Sequence, residues 1–353
     1  MSMCTLTMSP ESLPQGDSAD DSSAFELVDM TTAPDRAAAA EPAEQPAVES
    51  SATATSRTPK WACTRVLTGH SSWVRSVAVS ADGNFIVSGS GDKTVRVWNL
   101  ATGHTMQTID SHQAWVRAVA VSPDRTCFAS VSNDNTIQLW DLATGSSLGQ
   151  LEGHTNWVRA VVFSPNGKYL FSGGQDHKIC VWRLSDQTLI HHFNGHTHWV
   201  RSIAVSRDGT TLISGSQDKT IRLYRLKGKG TNRVLSGHTG EVLSVAASPN
   251  NWLLASASAD CTVRFWKLNS GRETTCFKAH PAPVNSLAFS PDGQLLATAS
   301  NDSTIRLWNM EQGRLVAVLT GHEGWVWGID FAPDGKTLVS AGWDGTVRVW
   351  QEQ

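Results

Sequence analysis

The chain of 353 residues is 40% hydrophobic and carries a formal net charge of −3, so it has ample material for a core and no overall bias toward nucleic acid. It has no run of 18 apolar residues and no basic or apolar signal region at its start, so neither a membrane span nor a targeting segment is expected. The six cysteines (Cys4, Cys63, Cys127, Cys180, Cys261, Cys276) lack paired spacing and read as reduced, mostly buried thiols of a cytoplasmic protein.

Residues 1–60 hold ten acidic and three basic residues, a net of −7, and are rich in Ser, Ala, Thr and Pro. Such a segment buries too little apolar surface to offset the entropy of ordering, so an acidic, disordered leader is expected. The remainder, 61–353, carries a net of +4. Within the leader, "SAFELVDM" (23–30) mixes carboxylates with Phe25, Leu27 and Val28.

From residue 61 onward the chain repeats with a strict 42-residue step. Histidine stands at His70, His112, His154, His196, His238, His280 and His322. Aspartate follows at Asp92, Asp134, Asp176, Asp218, Asp260, Asp302 and Asp344. A small hydroxyl residue precedes each Asp by four places, at Ser88, Ser130, Ser172, Ser214, Ser256, Thr298 and Ser340. An aromatic residue follows each Asp by six, at Trp98, Trp140, Trp182, Tyr224, Trp266, Trp308 and Trp350. Inside a unit the signals are β: "SVAVS", a turn such as "SPDG", a second strand such as "QLLATAS", a turn carrying the Asp, then "TVRVW" and a fourth strand. Four short strands in each of seven units predict an all-β, closed ring of sheets.

These motifs ("TGH…SGSGDKTVRVW", "EGH…SGGQDHKICVW", "TGH…SAGWDGTVRVW") resemble the WD-repeat family, and the regular step is most similar to bacterial, cyanobacterial-like arrays. The resemblance covers 61–353 and implies a seven-bladed β-propeller of four-stranded antiparallel blades. It departs at Ser111 and Ala279, where Gly precedes His elsewhere, at Tyr224, at the basic loop "LKGKGTN", and at Trp252 in a turn. Repeat 7 ends at Trp350 without a fourth strand, so residues 62–67 are expected to supply it and close blade 7.

His, Asp and Ser are also the residues of a hydrolytic triad. That chemistry needs one exposed nucleophile in a cleft with an oxyanion hole, whereas this set recurs seven times, always with an aromatic partner. The resemblance implies a buried structural relay instead, with Asp holding His, His reaching Ser or Thr, and the hydroxyl meeting the indole N–H. Tyr224 is expected to replace that N–H in part with its hydroxyl. Histidines a blade apart cannot converge on one ion. No catalytic residue, metal, cofactor or enzymatic activity is expected.

The remaining periodic signal is Trp-Val-Arg. In the family, residues three and five places after the His stand at the top of the innermost strand, and side chains of alternate residues share one side. The residue before each turn Asp reaches the same rim. On that implication Trp73, Arg75, Trp115, Arg117, Trp157, Arg159, Trp199, Arg201, Trp325, Trp327 and Trp343 form an arc over blades 7, 1, 2, 3 and 4. Glu241, Leu243, Pro283 and Asn285 of blades 5 and 6 interrupt it, and changes there are expected to matter little. Arginine favours carboxylates and phosphates, and tryptophan favours apolar anchors. An acidic-hydrophobic peptide or surface of a partner protein satisfies both, so a non-enzymatic interaction scaffold or adaptor is expected. Single-stranded nucleic acid, stacked on Trp with phosphates on Arg, is disfavoured because the chain is not basic. A reader of modified side chains is opposed by the arginines. A solubilised, merely duplicated triplet and a contact between the acidic leader and the arc are the other readings.

Overall fold

A computed structural model describes residues 60–110, 112–227 and 231–353. The expectations for the leader, and for Cys4, Ser111 and Lys229, fall outside these residues. The described chain forms 28 strands, from β1 (Trp61–Leu67) to β28 (Val347–Glu352), and no helix. Blade 1 is β2 (Val74–Val79), β3 (Phe85–Ser90), β4 (Thr94–Asn99) and β5 (Thr105–Asp110), paired in that order. Five further antiparallel sheets repeat the order, and the first strands of successive blades adjoin around a central channel. Blade 7 is completed from the other end of the described chain. Its order is β1, β28, β27 (Thr337–Gly342), β26 (Val326–Phe331), with Trp61 opposite Glu352 and Leu67 opposite Val347.

The strand compositions follow from this stacking. The second strand of each blade is covered on both faces by its neighbours, so it carries apolar and small residues throughout, as in "FIVSGS" and "TLISGS". The fourth strand is the rim and alternates with solvent, as in "TMQTID". The core therefore lies between blades: Val74, Val77, Ile86 and Trp98 of blade 1 pack against Leu67, Val339, Ala341, Val347 and Val349 of blade 7. The thiols depart from expectation. Only Cys180 is buried, while Cys63 and Cys276 are exposed on rim strands and Cys127 and Cys261 are half-buried; all five are free.

The residue after each turn Asp takes a left-handed backbone, with Lys93, Asn135, His177, Lys219, Cys261 and Ser303 at φ of 66–73° and glycine only at Gly345. Non-glycine residues there carry strain of about 1–3 kcal/mol. The Asp side chain counters it by accepting from the backbone two places on, as Thr94 N does to Asp92 Oδ1 at 2.9 Å.

Candidate binding face at the channel mouth

Each blade carries the same buried chain of polar groups. His Nδ1 lies 2.7–2.9 Å from the Asp Oδ2 in all seven blades. His Nε2 lies 2.7–2.8 Å from the Ser or Thr hydroxyl. The indole N–H of Trp98, Trp140, Trp182, Trp266, Trp308 and Trp350 donates to that hydroxyl at 2.8–3.0 Å. Since the carboxylate only accepts, Nδ1 carries the proton, and the hydroxyl donates to Nε2 while accepting from the indole. Except in blade 6, where Pro281 follows His280 and has no N–H, the Asp also accepts from the backbone after the His, as from Ser71 N at 3.0 Å. Every hydroxyl member is fully buried, so none is presented as a nucleophile.

Two members differ from expectation. The Tyr224 ring is buried and its hydroxyl remains close to Ser214, but the bond it donates, at 3.5 Å, goes to the Asn194 carbonyl. Burial pushes that hydroxyl up to about 12. A bond this long to an exposed residue is weak, so Tyr224→Phe is expected to cost no more than about 1 kcal/mol in urea unfolding. Trp308, expected to be buried, is half-buried, because its outer face borders an open groove between blades 5 and 6.

Burial alone would raise the relay carboxyls. Hydrogen bonds from His, and from the neighbouring Thr where present, outweigh it and hold them below the usual range. Burial depresses His196, His238 and His280. Depressed groups of both kinds favour folding when deprotonated. The histidine contribution is lost as pH falls below about 6.5. Asp330, which burial pushes up to about 6, acts in the opposite direction over the interval above pH 4. Below about pH 4 all seven relay carboxyls act together, so stability in urea titrations should fall steeply there and only modestly between pH 7 and 4.

The Trp-Val-Arg residues meet at one end of the channel. Val74 and its counterparts are fully buried and anchor the strand. The Arg is the extra residue of a β-bulge: Val74 opposes Ser90 and Ser76 opposes Gly89, and the same shift recurs at Arg117, Arg159, Arg201, Leu243, Asn285 and Trp327. Simple alternation is therefore not what aims these side chains; the bulge turns each one into the channel mouth. Arg75, Arg117, Arg159 and Arg201 line that mouth together with Leu243, Asn285 and Trp327.

The indoles form a rim above them, with five of the seven in contact with one another. Trp73 meets Trp115 at 5.3 Å and Trp327 at 5.2 Å, and Trp343 meets Trp325 at 5.5 Å and Trp327 at 5.4 Å. Guanidinium groups are interleaved: Arg117 lies within 5.8 Å of the Trp73, Trp115 and Trp157 rings, Arg159 within 4.5 Å of Trp199, and Arg75 within 5.5 Å of Trp327. Trp115, Trp325 and Trp343 are 45–53% exposed and Trp157 is 37% exposed; Trp73, Trp199 and Trp327 are half-buried. Trp73 lies lower because Gly91 leaves it room: a Cβ there would meet the ring at 2.4 Å, whereas Trp115 faces Asn133.

Burial first, and then mutual repulsion, lowers Arg75 to about 9, Arg117 to about 10 and Arg159 to about 8. Arg117 Nε donates to Asn133 at 2.7 Å. Arg201 pairs with Glu241, which also accepts from Gln217 Nε2 at 2.8 Å. Glu241 is thus joined to the arc, contrary to the expectation that blade 5 leaves it. Asn285 is buried, donating to Asn301 at 2.7 Å and to the Val326 carbonyl at 2.9 Å.

Residues 61–99, 103–141 and 145–183 match the family described as "WD domain, G-beta repeat", and residues 174–353 match "IFT122 first beta-propeller". The chain belongs to the WD-repeat β-propeller family. Among its WD-repeat relatives, it is similar to the pre-mRNA-splicing factor prp46 of Aspergillus fumigatus, 47% identical over 51 residues, which is 14% of this chain and 11% of that protein. It is similar also to the ribosome biogenesis protein BOP1 homolog of Drosophila grimshawi, 52% identical over 46 residues, 13% of this chain and 6% of that protein. The chain thus spans about a tenth or less of these curated relatives. Among the described residues, no helix is long and apolar enough to cross a membrane, and no cluster of His, Cys, Asp and Glu could hold a metal ion.

Proposed function

We propose that this WD-repeat propeller is a non-enzymatic scaffold or adaptor that takes an acidic-hydrophobic peptide or surface of a partner protein on the Trp/Arg face. The observation that carries this reading is the rim of seven indoles over four guanidiniums, five of the rings in mutual contact and Trp157 and Trp199 joined to them through Arg117 and Arg159; among the described residues only Arg201 is paired with a carboxylate at the mouth. Contiguous apolar surface of this kind marks interaction sites, and Trp and Arg dominate binding hot spots. Guanidiniums over indoles also shield them, as the duplicated-triplet reading requires, yet Trp325 and Trp343 meet other indoles at steep angles and stay open. The names of the relatives, in pre-mRNA splicing and ribosome biogenesis, support work in assemblies. The cytoplasm is the compartment of this reading, supported by the free thiols.

A peptide array tests the proposal. Peptides combining carboxylates with aromatic or aliphatic anchors should bind, and neutral or basic versions should not. Preference for single-stranded oligonucleotides over every peptide would overturn it in favour of nucleic acid.

A further inference from the structure

Six 42-residue steps separate Trp61 from Gly313, so the two hold the same place at the lower ends of neighbouring rim strands. Trp61 fills the gap between blades 6 and 7, buried in a cluster with Leu307, Leu319, Phe331 and Trp350. Gly313 leaves the gap between blades 5 and 6 unfilled. There a groove of about 460 Å³ is walled by Leu253, Phe265, Phe277, Trp308 and Met310. Three other gaps are closed from the preceding blade. A Cβ on Gly103 would meet Leu67 at 2.8 Å, on Gly145 Gln107 at 2.6 Å and on Gly271 Leu235 at 2.7 Å; on Gly313 it would meet nothing within 4 Å. Thr275 stands where the blades before the three closed gaps have Arg65, Gln107 and Arg233, and it is shorter than any of these; Gly149 and Ala317 hold the same place before gaps that take Gln187 and Trp61 from the following rim strand. The result is an aromatic slot with a filled counterpart one blade away.

We propose that the slot is the seat of the chain's own leader, with Phe25 as the inserted ring, as Trp61 is in the adjacent gap. Phe25 is the single aromatic residue in 1–59, and Leu27, Val28 and Met30 follow it. The leader reaches the propeller at Lys60, beside Trp61, on the same lower level as Gly313 and one blade from the slot. Neighbouring sheets pack about 10 Å apart. The 36 residues from Phe25 to Trp61 have a typical span of about 30–36 Å as a free chain, enough for that step. The Trp/Arg mouth lies at the other end of β1, a further length of about 23 Å. A leader held at the side keeps its carboxylates off the arginines, leaving the mouth open to a partner.

Fluorine NMR of the full chain labelled with 5-fluorotryptophan tests this, with the Trp308 signal assigned through Trp308→Phe. Phe25→Ala should shift the Trp308 resonance to the position seen when 1–58 are deleted, while Trp115 and Trp343 stay in place. Phe25→Trp should preserve the wild-type environment of Trp308. Gly313→Trp, which fills the slot from within, should make Trp308 insensitive to Phe25→Ala. A Trp308 signal indifferent to both Phe25→Ala and the deletion would overturn the proposal. So would a response confined to the indoles of the mouth, which would seat the leader on the arc.

Discussion

Deleting residues 1–68 should unfold or aggregate the propeller, whereas deleting 1–58 should lower its melting temperature by no more than a few degrees, the loss expected when Phe25 leaves its slot. The longer deletion removes β1, which pairs with β28 from Trp61 to Leu67. It withdraws two buried anchors: Trp61, which packs edge-on to Phe331 at 6.3 Å, and Leu67, which lies against Val347 and Val349 in the inter-blade core. Truncating a buried Trp costs about 3–5 kcal/mol and a buried Leu about 2–5 kcal/mol, a large part of a typical domain stability of about 5–15 kcal/mol. The bared edge of β28 then offers unpaired backbone groups to other chains. Thermal scans and light scattering on the two truncations decide it, and equal behaviour would refute closure by β1. Trp61→Ala in the full chain should give an intermediate loss.

Reversing two arginines at once, Arg117→Glu with Arg159→Glu, should abolish partner capture while the melting temperature stays within a few degrees. Arg117 touches three indoles and Arg159 two, so together they span the centre of the rim. Their removal also relieves repulsion among crowded cations, which offsets the lost contacts with the rings. Trp115→Ala alone should cost on the order of 2 kcal/mol in binding, roughly 30-fold in affinity. Affinity should fall with added salt, since exposed charge pairs are screened within about 8–10 Å. Glu241→Gln is now expected to strengthen capture of an acidic partner, because it frees Arg201 from its carboxylate. Binding isotherms of these variants against an array-selected peptide provide the measurement.

The propeller and its relay were legible in the sequence because both are periodic: each His, Asp, hydroxyl and aromatic recurs at one step, and a repeated unit can bury its faces only against copies of itself. Tyr224 shows the limit of that periodicity, since its hydroxyl donates to a backbone carbonyl where the indole N–H of the other blades donates to a side-chain hydroxyl. The location of the Trp and Arg side chains followed from the resemblance to the WD-repeat family, but the bulge at each Arg did not, because bulges depend on the pairing of two strands. Features that distinguish one blade from another were harder still. Glu241 reaches Arg201 across 40 residues of chain. The open groove beside Trp308 arises from the absent side chain of Gly313 and the short one of Thr275. Extending the 42-residue step back to Trp61 would have exposed that contrast.

The most direct test of the binding face is site-specific photo-crosslinking in native extract, with a benzoylphenylalanine at Trp115 or Trp343 compared with one at Trp252, a turn residue at the opposite end of the blades. The account predicts that one acidic-hydrophobic partner is crosslinked from both mouth positions and that this product is lost in the double arginine reversal. Crosslinking from Trp252 that survives the reversal, with none from the mouth, would contradict it.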